Sequence, residues 1–229
     1  MLSTSGQSNA VVDPSRTRAA ALNGNHTSST SSTMSVPPTN LQHIWVVTGP
    51  AGSGKSTVGK YLQQALGIPY LEGDDYHPKS NKDKMSSGTP LTDADRWDWL
   101  ISLRSAATAC LSPSPENNHT PPAGVVVACS ALKKKYRDVM RVAAYGADNV
   151  RIHFVYLKLD PDALYQRVSK RQAHYMKQSM VESQLRDLEE PEAGEWDALT
   201  VNVVGNMGME SVQGEVMRVV SEELEKFGN

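Results

Sequence analysis

The sequence predicts an α/β fold: a parallel sheet of about five strands with helices on both faces. Three observations carry that prediction. From about residue 42 onward, short apolar β-branched runs alternate with longer amphipathic stretches. Each run is apolar throughout rather than alternating, as expected of strands covered on both faces. Between the first run and the first helix-like stretch lies "GPAGSGKS", the context in which a glycine-rich phosphate-binding loop forms.

The elements follow in order. "HIWVVTG" is a buried strand ending in glycine, and "KSTVGKYLQQALG" has helical periodicity with a glycine stop. "IPYLEGD" reads as a second strand. "TDADRWDWLISLRSAATACL" is a long amphipathic helix with Thr92 or Asp93 as its cap. "SPSPENNHTPP" is a surface loop, "GVVVACS" a third strand and "LKKKYRDVMRVAA" a helix. "RIHFVYLKL" is a fourth strand. The helix opening at "DPDALYQRVSKR" has Asp160 as cap and Pro161 at its first position. "ALTVNVV" is a fifth strand, and "MESVQGEVMRVVSEELEKF" closes the chain.

The 229 residues suffice for one well-buried domain. Residues 1–40 stand apart: they are rich in Ser, Thr and Asn, with little to bury, and are expected to be a disordered tail. The domain is expected over 41–229. A net charge of −2 argues against a protein that coats nucleic acid or an anionic membrane. No apolar run approaches the ~18 residues of a membrane span. Cys110 and Cys129 lie in apolar contexts and make no disulfide framework, which fits a reducing, soluble compartment. That compartment is expected to be the cytoplasm, with the mitochondrion as alternative because the tail is Ser-rich, nearly free of acids and carries Arg16 and Arg18.

In the loop Gly49, Pro50, Ala51, Gly52, Ser53, Gly54, Lys55, Ser56 and Thr57, glycines let backbone N–H groups turn inward around a phosphate. The helix N-terminus adds partial positive charge. Lys55 is expected to reach the β- and γ-phosphates, and Ser56 to ligate Mg²⁺. A GTPase would read guanine with N-K-x-D, but "NKDK" (81–84) ends in Lys84. Motor ATPases and GTPases carry an aspartate on an apolar strand to support the metal, whereas the third strand here ends "VACSA". Support for the metal is therefore expected from Glu72, Asp74 or Asp75, at the end of the second strand. One of these acids supports the metal and another aims and deprotonates an acceptor hydroxyl, if the second strand neighbours the first; Asp75 reads as a solvated capping acid. Lys79, Lys82 and Lys84 follow the second strand, and Lys133, Lys134, Lys135 and Arg137 the third. Basic groups from two loops at one crevice favour an anionic acceptor, and Arg96 and Arg137 suit a carboxylate because guanidinium binds it through two parallel hydrogen bonds.

Four blocks, "GPAGSGKST", "LEGDDYHPKSNKDKMSSGTPLTDADRWDWL", "CSALKKKYRDVMR" and "RQAHYMKQSMVESQLRDLEEP", resemble the gluconokinase family in order and spacing over roughly residues 43–205. The resemblance implies a three-layer P-loop kinase fold, similar to shikimate and adenylate kinases, with a mobile LID at about 167–187. It implies transfer of the γ-phosphoryl of ATP to the 6-hydroxyl of D-gluconate, commonly by a homodimer. Carried over by position, it places Asp74, His77, Lys84, Arg96, Lys133, Arg137 and His174 toward the acceptor; Ser56 and Glu72 stay the expected metal ligands from the reading of the residues themselves. Lys55 and Arg171 fall where transferred charge is stabilised, and Arg167 falls toward ATP. Pro50 departs from the usual Val of the phosphate loop. Ala173, Tyr175 and Leu185 depart from the Gly, Phe and Phe of the LID. The rival readings are a P-loop kinase for another anionic acceptor, such as shikimate or a nucleoside monophosphate, and a nucleotide-binding switch. Because the tail lacks apolar periodicity, deleting residues 1–38 is expected to leave activity and melting temperature nearly unchanged. A fall of several degrees in the truncated protein would instead mean that the tail packs on the domain.

Overall fold

The computed structural model describes residues 41–170, 178–204 and 207–228. The tail at 1–40 lies outside the described residues, as do the LID positions Arg171, Ala173, His174 and Tyr175. The described chain runs β1 (Gln42–Thr48), α1 (Lys55–Leu66), β2 (Tyr70–Glu72), α2 (Lys79–Ser86), α3 (Asp93–Cys110) and β3 (Gly124–Ala128). It continues through α4 (Lys134–Arg141), β4 (Val150–Leu159), α5 (Pro161–Lys170), α6 (Gln178–Asp187), β5 (Ala198–Val203) and α7 (Met209–Glu225). The five strands form one parallel sheet in the order β2-β3-β1-β4-β5.

Alternate strand residues are buried on opposite faces, which is why the runs read as apolar throughout. Ile44, Val46, Val125, Val127 and Phe154 pack against Leu100, Leu103, Tyr136 and Met140 of α3 and α4. Trp45, Val47, Val126, Val155 and Leu157 pack against Val58, Leu62, Leu164, Val216 and Val220 of α1, α5 and α7. A fully buried aliphatic side chain such as Leu62 or Leu100 is worth about 1.5–3 kcal/mol relative to exposure.

Thr92 caps α3. Its hydroxyl accepts from Asp95 N, and its own backbone N–H donates to Asp95 Oδ2 at 2.8 Å. Asp160 caps α5, accepting from Asp162 N at 2.9 Å. Burial pushes the Cys129 thiol up to about 12, so it is inert, whereas Cys110 is only partly buried. Helix α2 was not expected: "KSNKDKMS" has almost no apolar periodicity, and tertiary contacts through its one buried residue, Asn81, hold it.

β2 does not neighbour β1, because β3 lies between them. The crossover places the phosphate loop after β1, and the acids after β2, on either side of the β3 carboxyl end. This is a topological switch point, where open α/β sheets bind ligands. Gly73 makes the fit possible. A Cβ there would lie 2.3 Å from the Ala128 carbonyl oxygen, so only glycine lets the turn after β2 rest on β3. Trp99 of α3 clamps that turn by donating its indole N–H to Gly73 O at 2.7 Å.

On the other face, at the start of β1, lies a buried histidine pair. His43 Nδ1 and His153 Nε2 are 3.0 Å apart, and His153 stacks on Trp45 with ring centroids at 4.3 Å. Phe227 packs edge-on against both imidazoles, and His153 Nδ1 stands 3.6 Å from Glu223 Oε1. Desolvation, reinforced by Arg151, lowers the His43 pKa against the opposing pull of Glu223. Desolvation, then His43, Lys226 and Arg151, lowers His153 to about 3. Both folded-state values lie below the unfolded ~6.5, so the native state prefers neutral rings. The stability this confers is complete above pH ~6.5 and is lost as pH falls toward the folded values. At about pH 5 the loss from His153 alone is on the order of 2 kcal/mol. Urea midpoints measured at about pH 7.5 and pH 5 are expected to show the decline, and His153→Phe is expected to blunt it.

Candidate active site

A cavity opens over the β3 carboxyl end. It is lined by Ala51, Gly52, Gly54, Lys55 and Ser56 of the phosphate loop and by Glu72, Asp74 and His77 after β2. Arg96 and Trp99 of α3, Tyr136 of α4, and Ser183 and Gln184 of α6 also line it, with Ala128 at the end of β3 and Ser130 just beyond it. The small residues at the end of β3 and just beyond it leave the acids and the phosphate loop facing one space across the intervening strand.

Gly54 has φ +104°, a left-handed conformation that suits glycine and precedes the first turn of α1. The Lys55 ammonium donates to Gly49 O at 3.0 Å and Pro50 O at 3.1 Å, so the loop's carbonyls hold it against the cradle. The Tyr70 hydroxyl donates to Glu72 Oε2 at 2.6 Å. Burial and the Glu72 carboxylate keep that phenol protonated by raising its pKa. Ser56 of the phosphate loop and Glu72 and Asp74 after β2 bring hard oxygen donors to one cavity, ligand chemistry that would suit a cation such as Mg²⁺. Among the described residues no cluster of three or more His, Cys, Asp or Glu forms a metal cage.

His77 stacks on Trp99, with ring centroids 4.1 Å apart and planes 16° from parallel. The Asn81 amide nitrogen donates to Asp95 O at 2.6 Å, which fixes the orientation of the carboxamide. Its second hydrogen then points at His77 Nδ1, 3.3 Å away. Nδ1 is an acceptor, so the neutral ring carries its proton on Nε2. Desolvation, then Lys82 and Arg96, lowers the His77 pKa to about 4, and at neutral pH the ring is a hydrogen-bond donor rather than a base.

The remaining basic residues are distributed unevenly. Arg96 lines the cavity, donates to Tyr136 OH at 3.2 Å and stands 3.5 Å from Asp187. Lys133 lines an adjoining recess with Asp93 and Asp187, at 3.1 and 3.0 Å from them. Lys84 is paired with Asp95 at 2.5 Å and does not line the cavity. Arg167, half-buried on α5, is also absent from the lining, although its neighbour Val168 is present.

Arg137 stands apart from the acceptor site expected for it. It is 2 % exposed and grips Glu195 through Nε at 2.7 Å and NH2 at 2.6 Å. NH1 donates to the carbonyls of Ala131, Leu132 and Glu189. Buried and paired in this way, Arg137 of α4 is a structural residue that holds the segments after β3 and α6 together. The Arg137 guanidinium lowers the Glu195 pKa to about 2, with help from Arg141. Gln184 was missed in the sequence. Its carboxamide oxygen accepts from Ala51 N at 2.6 Å, a contact across 133 positions.

A family model described as an AAA domain matches residues 44–191. A probable gluconokinase of Schizosaccharomyces pombe is 43 % identical over 81 % of this chain and 92 % of its own length. The thermoresistant gluconokinase of Escherichia coli is 38 % identical over 78 % of this chain and 93 % of its own. The crystal structure of a gluconokinase from Sinorhizobium meliloti superposes with a TM-score of 0.66 at 36 % identity, covering 82 % of this chain and 95 % of that one. The chain belongs to the gluconokinase family. Within the gluconokinase frame, the acids beside the cradle and the neutral His77 face the phosphate loop across one cavity, and Arg137 serves the scaffold. Arg137→Ala is expected to leave the buried Glu195 carboxylate without its main partner and to cost about 3–5 kcal/mol of stability. The Michaelis constants for nucleotide and acceptor are expected to change little in the fraction that folds; chemical denaturation together with steady-state kinetics measures both.

Proposed function

We propose that this protein transfers the γ-phosphoryl group of ATP to the 6-hydroxyl of D-gluconate, releasing ADP and 6-phospho-D-gluconate. The observation that carries the reading is the shared cavity: a phosphate loop with its lysine on one side, and Asp74, His77 and Arg96 on the other. In this reading Asp74 accepts a hydrogen bond from the 6-hydroxyl and takes its proton as the oxygen attacks the γ-phosphorus. The bond to the bridging oxygen breaks and ADP leaves. His77 donates from Nε2 to an acceptor hydroxyl, and Arg96 faces the carboxylate. Lys55 leaves the Gly49 and Pro50 carbonyls for the β- and γ-phosphoryl oxygens. Ser56 and Glu72 would hold Mg²⁺, which when bound neutralises charge on the phosphates. Arg171 and His174 retain the roles that the family resemblance implies. A homodimer rests on the same resemblance, and light scattering tests it; a cytoplasmic location rests on the cysteine usage, with the mitochondrion as the alternative that the Ser-rich tail leaves open.

The test is a coupled ADP-release assay with gluconate, shikimate and nucleoside monophosphates. Gluconate-specific turnover supports the reading, and turnover with another acceptor alone overturns it. Within it, Asp74→Asn keeps the shape of the side chain but loses its basicity, so kcat is expected to fall by roughly 10²–10⁴-fold. The lower end is favoured because the phosphoryl-transfer transition state is loose. Asp75→Asn is expected to retain activity. The reverse result would assign the role to Asp75.

A further inference from the structure

The phosphate loop has two arms. The arm that opens α1 presents its N–H groups to a ligand, as helix N-termini do. The arm leaving β1 does not. Gly49 N–H is directed to Ser130 O at 3.4 Å, Pro50 has no N–H, and Ala51 N–H is directed to Gln184 Oε1 at 2.6 Å. This side of the cradle therefore offers a nucleotide no backbone donor. It is also the side where Lys55 now rests, on the carbonyls of Gly49 and Pro50. Lys55 is the group that serves the β- and γ-phosphates.

The Ala51 contact fixes the orientation of the Gln184 carboxamide. An amide oxygen held by a backbone N–H leaves the Nε2 amine as the other branch, and Gln184 lines the same cavity as Lys55 and Asp74. For transfer to an acceptor at Asp74, the γ-phosphoryl group must lie between the cradle and that carboxylate. We propose that Gln184 divides its carboxamide between two tasks: Oε1 braces the donor-poor arm of the phosphate loop through Ala51, and Nε2 supplies that arm's missing hydrogen bond to the γ-phosphoryl group. Because Gln184 lies on α6, which also brings Asp187 to Arg96 and Lys133, the same residue ties the helix after the LID to the nucleotide's terminal phosphate.

This inference rests on the kinase reading, and its test is read on nucleotide alone. Titration calorimetry with Mg²⁺ and either ADP or a non-hydrolysable ATP analogue is run on the wild type, Gln184→Leu and Gln184→Glu. Loss of a hydrogen bond to a charged group is expected to weaken the ATP analogue by roughly tenfold or more in Gln184→Leu, with ADP within about twofold. Gln184→Glu keeps an acceptor for Ala51 N–H but turns a carboxylate toward the phosphoryl group, so it is expected to lose the ATP analogue at least as severely while still binding ADP. Equal losses for ADP and the analogue would reduce Gln184 to a prop for the loop, and unchanged affinities for both would remove it from the site; either result overturns the proposal. Melting temperatures of both variants show whether they fold, and Gln184→Glu, nearly isosteric, serves if Gln184→Leu does not. A wild type that binds the analogue tightly but does not phosphorylate gluconate would fail the functional reading and leave this one standing.

Discussion

The buried ion pair between Arg137 and Glu195 is the constraint on which the site depends. A guanidinium and a carboxylate, each nearly sealed from water, are tolerable only with close geometry and satisfied donors. Here both conditions hold, with two contacts to Glu195 and three carbonyls around NH1. Those carbonyls belong to the segment after β3 and the segment after α6. The pair therefore joins the floor of the cavity, through Ala131 and Leu132, to the end of α6 and the approach to β5. Arg141 extends it by contacting both Glu195 and Asp197. Placing α6 in this way carries Gln184 to the phosphate loop and Asp187 to Arg96.

The same arrangement explains why carboxylates lie so close to a cradle for anions. The acids and the loop are not adjacent in the sheet. They are separated by β3, which ends in Ala128 and is followed by the small residues Ser130 and Ala131, and they meet across the space these leave. Glu72 accepts a hydrogen bond from the Tyr70 hydroxyl, so part of the acidic charge is engaged within the protein. Much of the basic charge is likewise committed within the protein: Lys133 and Lys135 are paired with Asp93, and Lys84 with Asp95. The crevice is thus less positive than a count of its lysines suggests, and Arg96 is the basic side chain from α3 that reaches the cavity.

What could be read from the sequence was local. Apolar runs, glycine stops, the Thr92 and Asp160 caps and the phosphate loop each express themselves within a few residues, and the order of strands and helices followed from them. Strand order did not, because the insertion of β3 between β1 and β2 depends on crossovers that periodicity does not encode. Arg137 is illegible in the sequence for a related reason. Its partner lies 58 positions away, and a basic residue on an amphipathic helix looks the same whether it faces a ligand or a buried acid. Gln184, with its partner 133 positions away, carried no local signal. The polar helix α2 was hidden because one buried asparagine, rather than an apolar stripe, holds it in place.

The stack of His77 on Trp99 gives the molecule an optical property. An indole in van der Waals contact with an imidazole has its excited state quenched according to the ring's charge and distance. Trp99 is also anchored by its N–H to Gly73, in the turn that carries Asp74. Of the four tryptophans, Trp45 is sealed on the opposite face of the sheet, and Trp196 is 76 % exposed. Trp97 lies against Tyr136, leaving Trp99 as the indole in the cavity wall itself. Anything that displaces His77 therefore changes the surroundings of this one indole among the four that emit.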